Sequence, residues 1–468
     1  MRKPTIYVYD YLPGTGKSTH IMDIIRESDV SNTQWLYITP LLSEAERIAN
    51  GVRHTTFIHP PNDKHLDKYR NKTEWALHHY GMGYSIATTH QLYKRLKELP
   101  ESIMGKSYLV IDEAIEPLEH ISIPYYEIKQ MLEADTIAKD SNGRVYWTNK
   151  VHYSSLDTTS DTYKMYTLLE REHQNIYIYN NNAIWELQID ALDKFDKVFI
   201  LTHNFENTIL ETFLKMYGYE IQYIKAELRY TNDEVLHHMN TCITLMDTSS
   251  IEEKGYQFSF SYWDTVLSYC KANRMKDLKT ILKNLLHNVE MEDVLYTCPK
   301  DFAPQIIHYE YKEEQTDEGK DPLYKVWLPS KTKATNDYAH KTDIVYLYDK
   351  YLNPNIIGHL KVNRGIETTQ KHNTTYAINE LMQFIFISAI RNGKQIRLYL
   401  PSSRMRNLLK KMLNQPLEKE YKRHNRCKLT EYTRNKLIED AADGMPKSNI
   451  AKKYGISRMQ VHRILKEQ

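Results

Sequence analysis

The sequence predicts an α/β protein with two parallel-sheet domains and a small all-α unit at its C-terminus. Three observations predict it. Short apolar runs of buried-strand type alternate with helical patterns through most of the 468 residues. A glycine-bearing loop joins the first such run to the first helical pattern. The last segment reads as three short helices around a glycine turn.

The first strand is Thr5-Ile6-Tyr7-Val8-Tyr9-Asp10, and Pro13-Gly14-Thr15-Gly16-Lys17-Ser18-Thr19 follows it. A helical pattern then covers 20–27. Strand, loop and helix in this order are the setting of a phosphate-binding loop. Glycines let backbone N–H groups approach phosphate oxygens, and the helix start adds its positive end. Gly14, Thr15, Gly16, Lys17, Ser18 and Thr19 are the candidate nucleotide-binding set. Lys17 suits the β- and γ-phosphates and Ser18 suits Mg²⁺. Tyr11 stands where the full pattern has its first glycine.

A second apolar strand, 108–111, ends in Asp112-Glu113-Ala114-Ile115. Carboxylates at this end of a buried strand sit where open α/β sheets bind ligands. Asp112 is the candidate holder of Mg²⁺, and Glu113 the group that orients and deprotonates an attacking water. Together the motifs predict an NTP-hydrolysing site with ATP and Mg²⁺ as cofactors. Other strands carry hydroxyl or amide groups at the same edge: 35–38 closes on Thr39-Pro40, 84–87 on Thr88-Thr89-His90, and 197–201 on Thr202-His203-Asn204.

A strand at 219–224 is followed by a polar, loop-like stretch, 225–239, and a new strand from 240. This places a domain border near 230. Helices are expected across 262–289 and a strand at 293–297. A helical pattern over 376–391 carries Arg391 at its end, then Asn392-Gly393 stops it before a strand at 395–400. In the tail, helices at 430–442, 447–454 and 458–466 share the buried set Ile450, Ala451, Ile456, Val461 and Ile464. This is a helix-turn-helix pattern. The expected domains are 1–229, 230–415 and 416–468.

Composition narrows the class. Hydrophobic residues at 41% and charged residues at 26% are ordinary for a globular protein. No apolar run reaches transmembrane length and no secretory leader pattern opens the chain, so a cytoplasmic protein is expected. The four cysteines are widely spaced, without metal-ligand or disulfide pattern. Net charge is only +2, yet 404–468 holds 17 Lys/Arg against 7 Asp/Glu. A basic tail on an acidic body points to a polyanion partner.

With these motifs in place, the chain resembles superfamily 1/superfamily 2 nucleic-acid helicases, particularly helicase-like proteins of tailed bacteriophages. The resemblance implies two RecA-like P-loop domains. It matches Gly14 through Ser18 to Walker A and Asp112-Glu113-Ala114-Ile115 to the acidic box. Thr39, Thr88 and Thr89 correspond to strand-gripping residues, and Thr202-His203-Asn204 to the motif that links nucleotide state to the groove. Thr335 and Asn336, within Lys333 to Tyr338, correspond to a motif touching nucleotide and strand. Arg391 corresponds to an arginine reaching the γ-phosphate, although the family pattern carries two such arginines. Arg397, Arg404 and Arg406 are the nearest substitutes. The tail is similar to the DNA-binding unit of resolvases and invertases, which implies that Ser457, Arg458, Gln460 and Arg463 face duplex DNA.

The expectation is an ATP-dependent DNA helicase or translocase. Its partners would be single-stranded DNA in the motor groove, duplex DNA at the tail and replication proteins, with no membrane. The rival expectations are a phage DNA-packaging (terminase-like) ATPase and a non-motor DNA-binding regulator with a nucleotide site.

Overall fold

A computed structural model describes residues 3–29, 31–53, 56–61, 66, 69–96, 99–148, 150–152, 156–263, 271–307, 326–332, 337–418, 431–454 and 458–466. Residues 1–417 form one compact unit and 418–468 a second.

Sixteen strands lie among the described residues. The first five are β1 (Thr5–Asp10), β2 (Thr33–Thr39), β3 (Phe57–Ile58), β4 (Ser85–Thr89) and β5 (Lys106–Asp112). With β11 (Lys197–Thr202) and β12 (Ile221–Tyr223) they form a seven-stranded sheet in the order β12-β1-β11-β5-β2-β4-β3. Every pairing in it is parallel. Such a sheet is covered on both faces, so its central strands carry near-continuous buried runs rather than a clean alternation. β2 is buried at all seven positions. The register pairs Asp10 with Thr202, Leu201 with Asp112, and Thr39 with Thr89. The polar strand ends therefore meet along one edge.

Between β5 and β11 the chain leaves this sheet. β6 (Leu118–His120), β9 (Asn175–Tyr179) and β10 (Asn182–Glu186) make an antiparallel sheet, and β7 (Ile137–Lys139) pairs with β8 (Val145–Trp147). The insert was not anticipated from the sequence, although β9 and β10 form a hairpin around Asn180-Asn181.

A second parallel sheet has the order β13-β16-β15-β14, from β13 (Ile243–Leu245), β14 (Val294–Thr297), β15 (Asp343–Tyr346) and β16 (Ile396–Tyr399). Two details differ from expectation. The polar stretch 225–239 is not all loop, because Asn232–Cys242 is a helix. Its start is a capping box: Thr231 accepts from the Glu234 amide while the Glu234 carboxylate takes the Thr231 amide. The helix expected over 376–391 runs instead over Gln370–Ile385. Ser388 turns the backbone out, and the Ala389 amide bonds the Lys341 carbonyl at 2.9 Å. Arg391 thus lies on a separate 3₁₀ turn, Ala389–Asn392.

The core of each sheet takes in residues from the other half of the chain. Leu352 and Leu360, from the second half, are buried in the core of the first. Leu12, from the glycine loop, is buried in the core of the second.

The C-terminal unit contains helices Glu431–Ala442, Lys447–Lys453 and Arg458–Lys466 around Leu437, Ile450, Val461 and Ile464. Asp440 ties the first helix to the second, accepting from Lys453 at 2.9 Å and Tyr454 at 2.6 Å.

Candidate functional site at the sheet edge

The glycine loop leaves β1 and turns into the helix Lys17–Glu27. Gly14 and Gly16 have φ of +86° and +97°, a region costly for residues with a side chain. A methyl group on Gly16 would also lie 3.2 Å from the Arg229 Cβ. Tyr11, at the missing-glycine position, anchors the loop from outside. Its hydroxyl accepts from the Ala226 amide at 2.7 Å and donates toward the Ile224 carbonyl at 3.1 Å. The loop is braced further along the same segment. The Leu12 amide donates to Asn232 Oδ1 at 2.8 Å, and the Tyr230 amide to the Thr15 carbonyl at 3.3 Å. Thr15 is buried and bonds the Leu12 carbonyl through its own hydroxyl, while Thr19 is exposed.

The loop and the acidic strand end converge. Ser18 Oγ donates to Asp112 Oδ2 at 2.8 Å, although the two residues are 94 positions apart. Tyr37, fully buried on β2, donates to the same oxygen at 2.6 Å. His90 Nε2 bonds the Asp112 carbonyl at 2.9 Å. Burial pushes the Asp112 carboxyl up, opposed by the hydrogen bonds from Tyr37 and Ser18 and by the charge of Lys17. Burial likewise raises the Tyr37 phenol, and Asp112 adds to this.

Lys17 folds back onto the loop. Its Nζ donates to the Tyr11 carbonyl at 2.6 Å and the Leu12 carbonyl at 2.9 Å. Burial pulls its ammonium down to about 8, against the attraction of Asp112, Glu113 and Asp10. Asp10 is thus a third carboxylate of the site. It accepts from the Phe205 amide at 3.0 Å, and burial raises its carboxyl. Glu113 follows Asp112 with φ of +63°, held by its amide on the Leu201 carbonyl at 2.8 Å. A non-glycine residue in that region is uncommon and clusters at functional sites.

The remaining candidates divide. Thr39 and Thr88 are buried at 1% and 0% exposure, so neither hydroxyl is presented to a passing strand. Thr89 caps a helical turn by accepting from the Leu92 amide. Asn204 pairs with Asn379 of the second half, Nδ2 to Oδ1 at 2.9 Å. Arg391 is exposed on its turn; Ala389 and Ile390 beside it share an apolar cluster with Leu12. Arg397 instead pairs with Asp343, Arg404 with Asp349, and Arg406 with Glu252. Thr335, Asn336 and Ser457 lie outside the described residues, as do the side chains of Gln460 and Arg463; Arg458 is exposed.

Sequence reasoning missed Asp10, Tyr37, His90 and Arg229. Asp10 and His90 stood beside motifs already noticed. Tyr37 and Arg229 gave no signal, because only the strand order places Tyr37 beside β5 and only the path of the linker places Arg229 beside Gly16.

The donor set suits a magnesium-bound phosphate chain. A hydroxyl and a carboxylate 2.8 Å apart are hard oxygen donors, and Mg²⁺ takes one or two such groups, completing its shell with water and phosphate. Among the described residues there is no cluster of three His, Cys, Asp or Glu able to cage an ion.

Residues 236–413 match a protein family described as the YonV C-terminal Rossmann-like domain. The chain is also 24% identical, over 424 residues, to the SPbeta prophage-derived uncharacterized protein YonV of Bacillus subtilis (strain 168). That match covers 86% of this chain and 97% of the prophage protein. The chain is therefore similar to a prophage-derived protein, and its second sheet lies in a Rossmann-like region. No helix among the described residues is long and apolar enough to cross a membrane.

Proposed function

We propose that this chain is a Mg²⁺-dependent ATP hydrolase of the superfamily 1/2 helicase type that works on DNA. One observation carries the reading: the 2.8 Å bond between Ser18 and Asp112, which closes a lysine-bearing glycine loop onto an acidic strand end. Lys17 would exchange its two loop carbonyls for the β- and γ-phosphates. Ser18 and Asp112 would hold Mg²⁺, which when bound would neutralise charge on the phosphate chain. Glu113 would take the proton of the attacking water, its position fixed by the backbone bond to Leu201. Arg391 and Arg229 are the two arginines proposed to reach the γ-phosphate, since the other candidates are paired elsewhere.

The DNA reading draws support from the basic tail and its three packed helices, with Arg458 exposed. In it, the tail grips duplex DNA and a single strand runs across both sheets. Replication proteins would be natural partners of such an activity in a phage-infected cell.

A second reading, an ATP-gated DNA-binding switch that does not translocate, is favoured by the buried links between the halves. Leu352 and Leu360 on one side and Leu12 on the other are not contacts a freely opening cleft would keep. The test is ATP turnover with no nucleic acid, single-stranded DNA, duplex DNA and RNA, alongside strand displacement. Turnover that needs Lys17 and rises with DNA supports the hydrolase. Strand displacement, or turnover that rises with the length of a single strand, selects the motor, and the absence of both selects the switch. Turnover unaffected by Lys17→Ala removes the proposal.

A further inference from the structure

We propose that Tyr37 is a positioning residue for the metal-holding carboxylate, a role that rests on reading Ser18 and Asp112 as the Mg²⁺ ligands. Two hydroxyls converge on one oxygen of a buried carboxylate: Ser18 Oγ at 2.8 Å and Tyr37 OH at 2.6 Å, both to Asp112 Oδ2. Among the described residues, no side chain or amide donates to Oδ1. The carboxylate is therefore locked at one oxygen and open at the other.

The two donors are not equivalent. Ser18 sits at the start of the helix Lys17–Glu27, on the loop that must rearrange as phosphate enters. Tyr37 stands on β2, which pairs directly with β5 from Thr33 to Ile38. Its ring is wholly buried, in the apolar cluster that also holds Trp35, Val110 and Phe199. Its hydroxyl therefore reaches Asp112 from the rigid sheet, whatever the loop does. His90 holds the backbone of the same residue through the Asp112 carbonyl. Tyr37 would thus keep Oδ2 occupied and Oδ1 aimed outward toward the metal. Outer partners of this kind set ligand orientation and metal affinity. A phenylalanine at 37 would preserve the packing and leave the carboxylate to swing on Ser18 alone.

The test compares Tyr37→Phe with the native full-length chain, using Mn²⁺ as a spin probe with a slowly hydrolysed ATP analogue. Mn²⁺ affinity is read by electron paramagnetic resonance, and analogue affinity is read separately in EDTA. The expected result is a loss of Mn²⁺ affinity of about 10–100-fold with metal-free nucleotide affinity unchanged. The unchanged term also reports that the variant is folded. In an Asp112→Asn background the same substitution should cost nothing more. Should Tyr37→Phe not fold, Tyr37→His, which offers a ring N–H from the same place, takes its place and should recover part of the affinity that Tyr37→Leu loses. Native Mn²⁺ affinity in Tyr37→Phe, or an equal loss in the Asp112→Asn background, overturns the role of Tyr37. Failure of the underlying reading looks different: the native chain would then bind Mn²⁺ no better with the analogue than without it.

Discussion

Arg364 is the most exacting test of how the two halves are joined. It lies at the end of the helix Pro354–Arg364 and forms a fork on Glu186 of β10, Nε to Oε2 at 2.8 Å and Nη2 to Oε1 at 2.5 Å. Glu186 is only 2% exposed, and His359, fully buried, bonds Oε2 at 3.1 Å. The Arg364 guanidinium also stacks on Tyr177, 4.3 Å from the ring centroid. Arg364→Ala strands the carboxylate with a single imidazole partner. Two charge-assisted hydrogen bonds disappear, each worth about 1.5–3 kcal/mol. Water entering the vacated space recovers part of this, which leaves the ~3–5 kcal/mol typical of breaking one side of a buried pair. Urea denaturation of the full chain, read by the circular dichroism of the sheets, measures the loss. Glu186→Gln should cost less, and Arg364→Ala should cost much less in that background than alone. A loss below about 1 kcal/mol, the level of an exposed pair, would mean the pair is solvated and the halves are not held by it.

The other expectations concern the site and the tail. Lys17→Ala should abolish ATP hydrolysis, measured by phosphate release. Glu113→Gln should bind nucleotide near native affinity yet turn it over at least about 100-fold more slowly. Removing residues after Leu417 should weaken duplex DNA binding and flatten its salt dependence, the slope falling by about 0.9 for each DNA phosphate that the tail no longer neutralises. The pH behaviour of nucleotide binding follows from Lys17. Burial sets its ammonium at about 8 in the free protein, and a bound phosphate chain raises it, so the complex carries the extra proton. Affinity should therefore fall as pH rises above 8, with proton uptake visible by calorimetry in buffers of different ionisation enthalpy. In Lys17→Met both effects should vanish.

What could be read from the sequence was local. β1, β5 and β11 announce themselves as apolar runs, and Gly14 through Ser18 announces a tight turn. Parallel strands buried on both faces leave such runs because no face needs polar residues. The helix Asn232–Cys242 was missed since its face is mostly polar, and Thr231 with Glu234 was its one strong signal. Within the insert, β6, β7 and β8 are three residues long, too short for a period to register, whereas β9 and β10, five residues each, form a hairpin whose apolar runs flank Asn180-Asn181 and were legible. Arg391 was misplaced on its helix because Ile387 to Ile390 continue an apolar pattern that the backbone does not follow. The bond from Ala389 reaches back to Lys341, at the entrance to β15, and no local pattern records it. Thr39 and Thr88 show the limit of analogy: the strand ends are where expected, yet the hydroxyls are buried.

The glycine loop is the element on which both halves depend. Leu12 lies in the second core, Asn232 takes its amide, and Phe386 lies 3.7 Å from where a Gly14 side chain would begin. On its other side the loop meets Asp112 through Ser18. A ligand that draws Lys17 off the Tyr11 and Leu12 carbonyls frees the backbone that seats Leu12. Interfaces packed in this way switch between discrete arrangements rather than deforming smoothly. The first consequence of nucleotide binding should therefore be felt at Leu12 and the helix Gln370–Ile385, before any wide separation of the sheets. Leu12→Ala tests this directly: it should cost about 2–5 kcal/mol of stability as a buried truncation. It should also uncouple nucleotide binding from protection of the 370–385 amides in hydrogen exchange. Protection that still responds fully to nucleotide in that variant would place the coupling elsewhere, with the Asn204–Asn379 pair as the next link to cut.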